Sequence, residues 1–342
     1  MVKWLESYLC GRKLCVRIGS YTSTWFTNSS GVPQGSNLGP LLFALYFNDV
    51  AALLGVGCRL IYADDLKIYV VVESLADCER LQELLNAFAR WCEVNRMTLS
   101  INKCFVITFH RCTAPIRMDY KIGDTSIQRV SQVKDLGVLL DSRLSFNEHR
   151  SEIIDRANRQ LGFIMRTAKD FDDIRCLKTL YTSLVRSILE TSSVVWCPYQ
   201  ASWVDRLERI QKRFVRYALR RLPWRDRTNL PPYVDRCCLL GIETLEQRRI
   251  IQQAVTAAKI LNGEIDCPNL LARLSLNAPN RIQRRSLERM LATQFHRSVY
   301  GYNEPMSSII SAFNNVAYLF EFGMSSTLFR SHVKRSMHPN NV

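Results

Sequence analysis

Residues 59–63 and 66–72 are two short runs rich in β-formers with only Asp64 and Asp65 between them, so the chain must turn back there and present two adjacent carboxylates. Aspartate is also a favoured turn residue with no further role. The flanks Ile61-Tyr62 and Leu66 to Tyr69 are strongly apolar, however, and are expected to carry both acids to the rim of a buried sheet. Like charges held there repel unless a cation lies between them. Mg²⁺ (or Mn²⁺) takes hard oxygen ligands and keeps positions for a substrate phosphate. Two such ions ~3.5 to 4 Å apart stabilise the attacking and leaving oxygens of an in-line phosphoryl transfer.

The surroundings of the turn set the fold class. Residues 2–9 read as a helix end closed by Gly11, residues 14–18 and 21–26 as a hairpin turning at Gly19-Ser20, and residues 31–35 as a Gly- and Pro-containing loop. Residues 38–54 are densely apolar at helical spacing and predict one buried helix ended by Gly55-Val56-Gly57. Leu75, Leu81, Leu84, Leu85, Phe88 and Trp91 fall on one helical face. Strands follow at residues 105–109, 120–122, 127 and 133–140, with a turn at Gly123-Asp124. Helix, hairpin, helix and return strands make an α+β layer, an antiparallel sheet with helices on one face. Beyond Asp141-Ser142 that alternation stops. Residues 146–166, 173–190, 203–221 and 245–262 each predict an amphipathic helix, punctuated by Leu222-Pro223-Trp224 and Leu230-Pro231-Pro232. The expected organisation is one unit over residues 1–140 and a mostly helical one over 141–342.

The formal charge of +15, from 46 Lys and Arg against 31 Asp and Glu, points to a polyanionic partner. No apolar run is long and uncharged enough to span a bilayer, which favours nucleic acid over a membrane. The 12 cysteines lack a CxxC pair or a nearby His at zinc-ligand spacing, and residues 1–8 lack the pattern of a secretory signal. A reducing cytoplasmic or nuclear setting, without secretion, is the expectation. The positive charge has a definite pattern on the helix from Trp203. Trp203, Leu207, Ile210, Phe214 and Tyr217 form an apolar stripe, and Arg206, Arg209, Arg213, Arg216 and Arg220 run parallel to it about 100° around the helix. Only Asp205 and Glu208 lie nearby to neutralise them, so the stripe is a candidate phosphate-binding face.

The string Tyr62-Ala63-Asp64-Asp65 resembles the catalytic motif of reverse transcriptases. Gly31-Val32-Pro33-Gln34-Gly35-Ser36, followed by Leu38-Gly39-Pro40-Leu41-Leu42-Phe43, is similar to the loop and helix that precede it in LINE-type, non-LTR retrotransposon enzymes. Residues 99–109 with Lys103-Cys104 and the string Asp135-Leu136-Gly137-Val138 resemble the next motifs. Leu180-Tyr181, Val195-Trp196-Cys197-Pro198, Ile210-Gln211-Lys212-Arg213-Phe214 and Pro232-Tyr233 resemble the helical region after the polymerase core of Jockey-like elements.

The resemblance implies an RNA-directed DNA polymerase that uses an RNA template, a DNA primer and deoxynucleoside triphosphates in a ribonucleoprotein. It implies a partial palm over residues 1–140 and a thumb and C-terminal region beyond. Asp64 would be the metal ligand with Asp65 supporting it, Gln34, Gly35 and Tyr62 would line the nucleotide and template pocket, and Lys103 would lie near the triphosphate. The family's other catalytic aspartate belongs to a strand upstream of the helix beginning here at Val2, and Ser100 stands where many relatives have Asn. The expectation is a chain incomplete at its N-terminus and inactive alone. The alternative is a non-catalytic nucleic-acid-binding derivative of such an element.

Overall fold

The computed structural model describes residues 1–28, 30–55, 59–220, 231–277 and 289–337. The fold is α+β and divides into two units: Met1–Val133 with Asp141–Leu144, and Lys134–Leu140 with Ser145–Val342. The punctuating segment Leu222-Pro223-Trp224 and Leu230 lie outside the described residues.

In the first unit, α1 (Val2–Leu9) leads into nested pairings in which β1 (Arg12–Leu14) meets β4 (Phe26–Asn28) and β2 (Arg17–Ile18) meets β3 (Tyr21–Thr22). Gly19 takes a φ of +61° in the inner turn, a conformation glycine adopts without a Cβ clash. Then come α2 (Gly39–Phe47), α3 (Asp49–Leu54) and the hairpin β5 (Arg59–Tyr62) with β6 (Asp65–Ile68). The 20-residue α4 (Leu75–Val94) starts on a capping box, where Asp77 accepts from the backbone amides of Ser74 at 2.8 Å and Glu73 at 3.0 Å. The remaining strands are short: β7 (Phe105–Val106), β8 (Lys121–Ile122), β9 (Thr125–Ser126), β10 (Gln128–Arg129), β11 (Gln132–Asp135) and β12 (Val138–Asp141). Gln82 on α4 supplies the backbone-like partner that β8 lacks on that side: its amide donates to Lys121 O and accepts from Lys121 N, both at 2.9 Å.

The expected single antiparallel sheet is not formed. The strands pair in separate two-stranded ribbons, and the β7–β10 pair is parallel. Strands of two to four residues give each ribbon too few ladder bonds to recruit a third strand. Helices do back one face of the β5–β6 hairpin: Leu66 and Ile68 pack on a core of Phe47, Val50, Leu54, Phe88 and Cys92. Trp91 stands edge-on to Phe47 with ring centroids 5.5 Å apart.

The expected buried helix over residues 38–54 is two helices, and much of it is exposed. The ladder breaks at Asn48, whose amide turns to Leu45 O, and only Gly39, Phe47, Val50 and Leu54 are buried. Leu45 is 64% exposed and Leu41 56%. The segment is apolar on all sides, and the hairpin with α4 covers only the side that carries Phe47, Val50 and Leu54.

The second unit is helical apart from residues of the β11–β12 ribbon. α5 (Asn147–Thr167) packs on α9 (Ala201–Leu219) and on the run formed by α6 (Ile174–Tyr181), a π turn over Thr182–Arg186 and α7 (Ser187–Glu190). Asp173 caps α6 by accepting from Arg175 N at 2.8 Å. After α8 (Ser193–Trp196) and α10 (Tyr233–Leu239), α11 (Leu245–Leu261) forms the centre of a second core. That core also takes residues from α14 (Pro305–Asn314) and α15 (Ser326–Met337), with Phe313, Phe320 and Phe329 in mutual contact. The four-residue helices α12 (Pro268–Leu271) and α13 (Val299–Tyr302) lie between. Arg248 bridges Glu190 and Glu243, and Lys334 on α15 reaches Glu243 at 2.6 Å, so this ionic chain ties three helical segments together.

Candidate active site and nucleic-acid interface

The β5–β6 register pairs Tyr62 directly with Asp65, which leaves Ala63 and Asp64 as a two-residue turn. Asp65 is therefore the first residue of β6. Ala63 has a φ of +51°, in the left-handed region that costs an L-residue with a Cβ roughly 1–2 kcal/mol. A backbone outlier of this kind, held immediately before Asp64, is a reason to look for function at the turn. The tip is open: Tyr62, Ala63, Asp64 and Asp65 are all exposed, and so is Leu60 on β5. The expected rim of a buried sheet is thus the tip of a hairpin packed on helices through one face, and among the described residues no third strand pairs with it.

The other predicted pocket residues come from separate segments. Gln34 and Gly35 are exposed on the loop before α2, where Gly35 has a φ of +79° and open space where a Cβ would stand. The loop is fixed by Ser36, whose Oγ donates to Pro33 O at 2.7 Å and accepts from Gly39 N at 3.0 Å. Gly39 is equally necessary, since a Cβ there would come within 3.1 Å of both Pro33 O and Ser36 Oγ. Neither residue was singled out from the sequence, although a hydroxyl three residues before a helical Gly-Pro is a readable capping signal. Lys103 ends a 3₁₀ turn, Ile101–Lys103, and it is exposed. Asp49 occupies the first turn of α3, an ordinary place for an acid at a helix N-terminus.

Asp64 and Asp65 supply hard oxygen donors of the type Mg²⁺ or Mn²⁺ takes, and one or two carboxylates completed by substrate phosphates is a common magnesium environment. Among the described residues no group of three His, Cys, Asp or Glu side chains comes together to hold a metal. The donor type fits, with most of the coordination left to water and phosphate.

On α9 the two stripes separate as the spacing requires. Leu207, Ile210 and Phe214 are buried, with Phe214 stacked on Tyr181 at a centroid distance of 4.0 Å, while Arg206, Arg209, Arg213, Arg216 and Arg220 are all exposed. Arg206 lies over the Trp203 ring at 4.3 Å. Glu208 does not neutralise the stripe: it is 5% exposed and accepts from Tyr233 OH at 2.6 Å and Glu246 N at 2.7 Å. No ion pair to any of the five arginines is present among the described residues. No helix among these residues is long and apolar enough to cross a membrane.

Residues 1–140 match the family model described as reverse transcriptase (RNA-dependent DNA polymerase). Relatives in Drosophila melanogaster include the probable RNA-directed DNA polymerases from transposon X-element, 30% identical over 62% of this chain and 24% of that protein, and from transposon BS, 30% identical over 71% and 28%. The RNA-directed DNA polymerase from mobile element jockey is 26% identical over 66% of this chain and 25% of its own length. This chain therefore spans about a quarter of the length of these relatives. No solved structure matches it. Residues 1–140 are a reverse transcriptase domain, and the chain's homologues are RNA-directed DNA polymerases of Drosophila non-LTR retrotransposons.

Proposed function

We propose that the chain takes part in RNA-templated DNA synthesis, with residues 1–140 as a partial palm and residues 141–342 as the thumb and C-terminal region. The observation that carries this reading is the exposed Ala63-Asp64 turn with Asp65 beside it, inside the segment that matches the family model. Bound Mg²⁺ or Mn²⁺, in a two-ion arrangement, would polarise the reacting phosphate and neutralise developing charge. Asp64 would hold an ion and Asp65 would support it. The primer 3′-hydroxyl gives its proton to solvent water as its oxygen bonds to the α-phosphorus of a deoxynucleoside triphosphate, the bond to pyrophosphate breaks, and Lys103 is assigned the proton given to that leaving group. Gln34, Gly35 and Tyr62 line the pocket for the incoming nucleotide and template, where Gly35 leaves room for close backbone approach. The exposed arginines of α9 hold the phosphates of the RNA–DNA duplex, in a ribonucleoprotein that is not secreted.

With two carboxylates at the tip, the 342-residue chain alone is expected to extend a DNA primer on RNA weakly or not at all. Joined to the upstream reverse transcriptase segment of one of the Drosophila relatives, it should extend the primer with Mg²⁺, and Asp64→Ala should abolish that extension. Extension unaffected by Asp64→Ala contradicts the assignment. Strong extension by the chain alone assigns the second acid to this chain, with Asp49 the first residue to substitute. A second reading, a nucleic-acid-binding derivative without catalysis, draws support from the unneutralised α9 stripe. It predicts duplex binding with no extension in either format.

A further inference from the structure

The C-terminal part of the second unit holds a cavity of about 400 Å³ that polymerase chemistry does not use. Its walls come from the segment before α13, from α13 itself and from α14. Volumes of this order are typical of sites for small organic ligands. The lining is unusual for a surface cleft because it combines exposed aromatic rings, a free guanidinium and unengaged amides. Phe295 is 81% exposed and Tyr302 50%, and the two rings stand edge to face at 6.3 Å. Exposure of that extent leaves a large aromatic face in water.

A third ring is fixed behind them. His296 lies against Gly301, where an added Cβ would come within 2.8 Å of the His296 Cβ and 2.9 Å of its ring, and it stands edge-on to Tyr302 at 5.5 Å. Its Nε2 is 2.9 Å from Ser307 Oγ, so the ring orientation is set. The cations differ from one another. Arg273 is tied to Glu304 at 2.6 Å, whereas Arg289 is exposed and has no side-chain partner among the described residues. The side-chain amides of Gln294 and Asn315 also make no hydrogen bond among those residues, unlike Asn314, which is committed to the Leu291 backbone on both sides.

We propose that this cavity binds a single nucleotide, with its base stacked on Phe295, its edge against Tyr302 and its phosphate at Arg289. Flat aromatic faces recognise any base through stacking, the unengaged amides offer donors and acceptors to a base edge, and one unpaired guanidinium matches one phosphate. An acidic peptide would use the cation but would leave the aromatic faces exposed. The same chemistry can come from an unpaired nucleotide in a strand or from a free nucleotide. It is independent of the α9 stripe, which is a row of charges suited to a continuous backbone.

The test measures binding of the full chain to fluorescein-labelled single-stranded RNA by anisotropy, and to nucleoside monophosphates by calorimetry. Phe295→Ala and Tyr302→Ala should each weaken single-strand binding about tenfold with an unchanged salt slope, since stacking carries no charge. Arg289→Gln should lower the slope by about one. Duplex binding should stay as it was in all three. Phe295→Leu keeps apolar bulk while removing the aromatic face and should behave like Phe295→Ala, which separates loss of stacking from loss of fold. Tight binding of strands alone identifies an unpaired strand nucleotide as the ligand, and tight binding of monophosphates alone a free one, provided Phe295→Ala weakens it. Unchanged binding of both probes in Phe295→Ala and Tyr302→Ala overturns the proposal.

Discussion

Replacing Arg209, Arg213 and Arg216 with Gln should remove most of the salt dependence with which the chain binds an RNA–DNA duplex. The stripe from Arg206 to Arg220 spans fourteen residues, which at 1.5 Å per residue is about 21 Å of helix. That is roughly six phosphates of one strand at about 3.4 Å each, enough for every arginine to meet its own phosphate. Each neutralised phosphate contributes about 0.9 to the slope of log K against log salt, so three lost contacts lower it by about 2.7. Over a fourfold rise in salt the wild-type chain should lose about fortyfold more affinity than the triple variant. The three side chains are exposed and touch no core, so the melting temperature should not move. Anisotropy titrations across a salt series read the slope, with a thermal melt as the control. An unchanged slope in a folded triple variant refutes the phosphate-binding role of α9.

Other expectations concern stability. Phe214→Ala on the buried face of α9 should cost about 3–5 kcal/mol, because a ring 1% exposed and stacked on Tyr181 leaves a cavity; a urea titration measures it. Ala63→Gly should stabilise the chain by up to about 1 kcal/mol, since glycine relieves the left-handed strain but loses more entropy on folding. Gly39→Ala should destabilise the loop before α2, where its methyl would press on Pro33 O and Ser36 Oγ, seen as faster proteolysis near residue 34. His149 is buried, accepts from Leu139 N and has no hydrogen-bond partner on Nε2 among the described residues, and its burial holds the imidazole pKa below the ordinary 6.5. The unfolded chain then binds more protons than the folded one below about pH 6.5, so stability contributed by neutral His149 is present above that pH and lost as pH falls. His149→Leu should flatten that part of a melting-temperature profile, and an unchanged profile would exclude His149 as its source.

The parts of this chain that could be read from its residues are those where local pattern and burial agree. The α9 stripes follow from 4-3-4-3 spacing, and the β5–β6 hairpin follows from two β-rich runs with room for nothing but a turn. Residues 38–54 mislead because they are apolar all round: density of apolar residues predicts burial only where a covering surface exists, and the hairpin with α4 covers one side. Division of the sheet into ribbons depends on strand lengths of two to four residues, which composition does not set. α14 does carry a signal, with Pro305 at its first position and Met306, Ile309, Ile310 and Phe313 on its buried face. The cavity beside it gathers side chains from several helices and loops, and no local sequence pattern marks it.

The central claim is that the hairpin tip holds a divalent ion through Asp64, and paramagnetic broadening by Mn²⁺ tests it without requiring turnover. Amide spectra of the full chain, recorded while Mn²⁺ is added, should lose intensity first at Ala63, Asp64 and Asp65, and Asp64→Asn should abolish that pattern while excess Mg²⁺ competes it away. Broadening that spares the tip, or that persists unchanged in Asp64→Asn, contradicts the account.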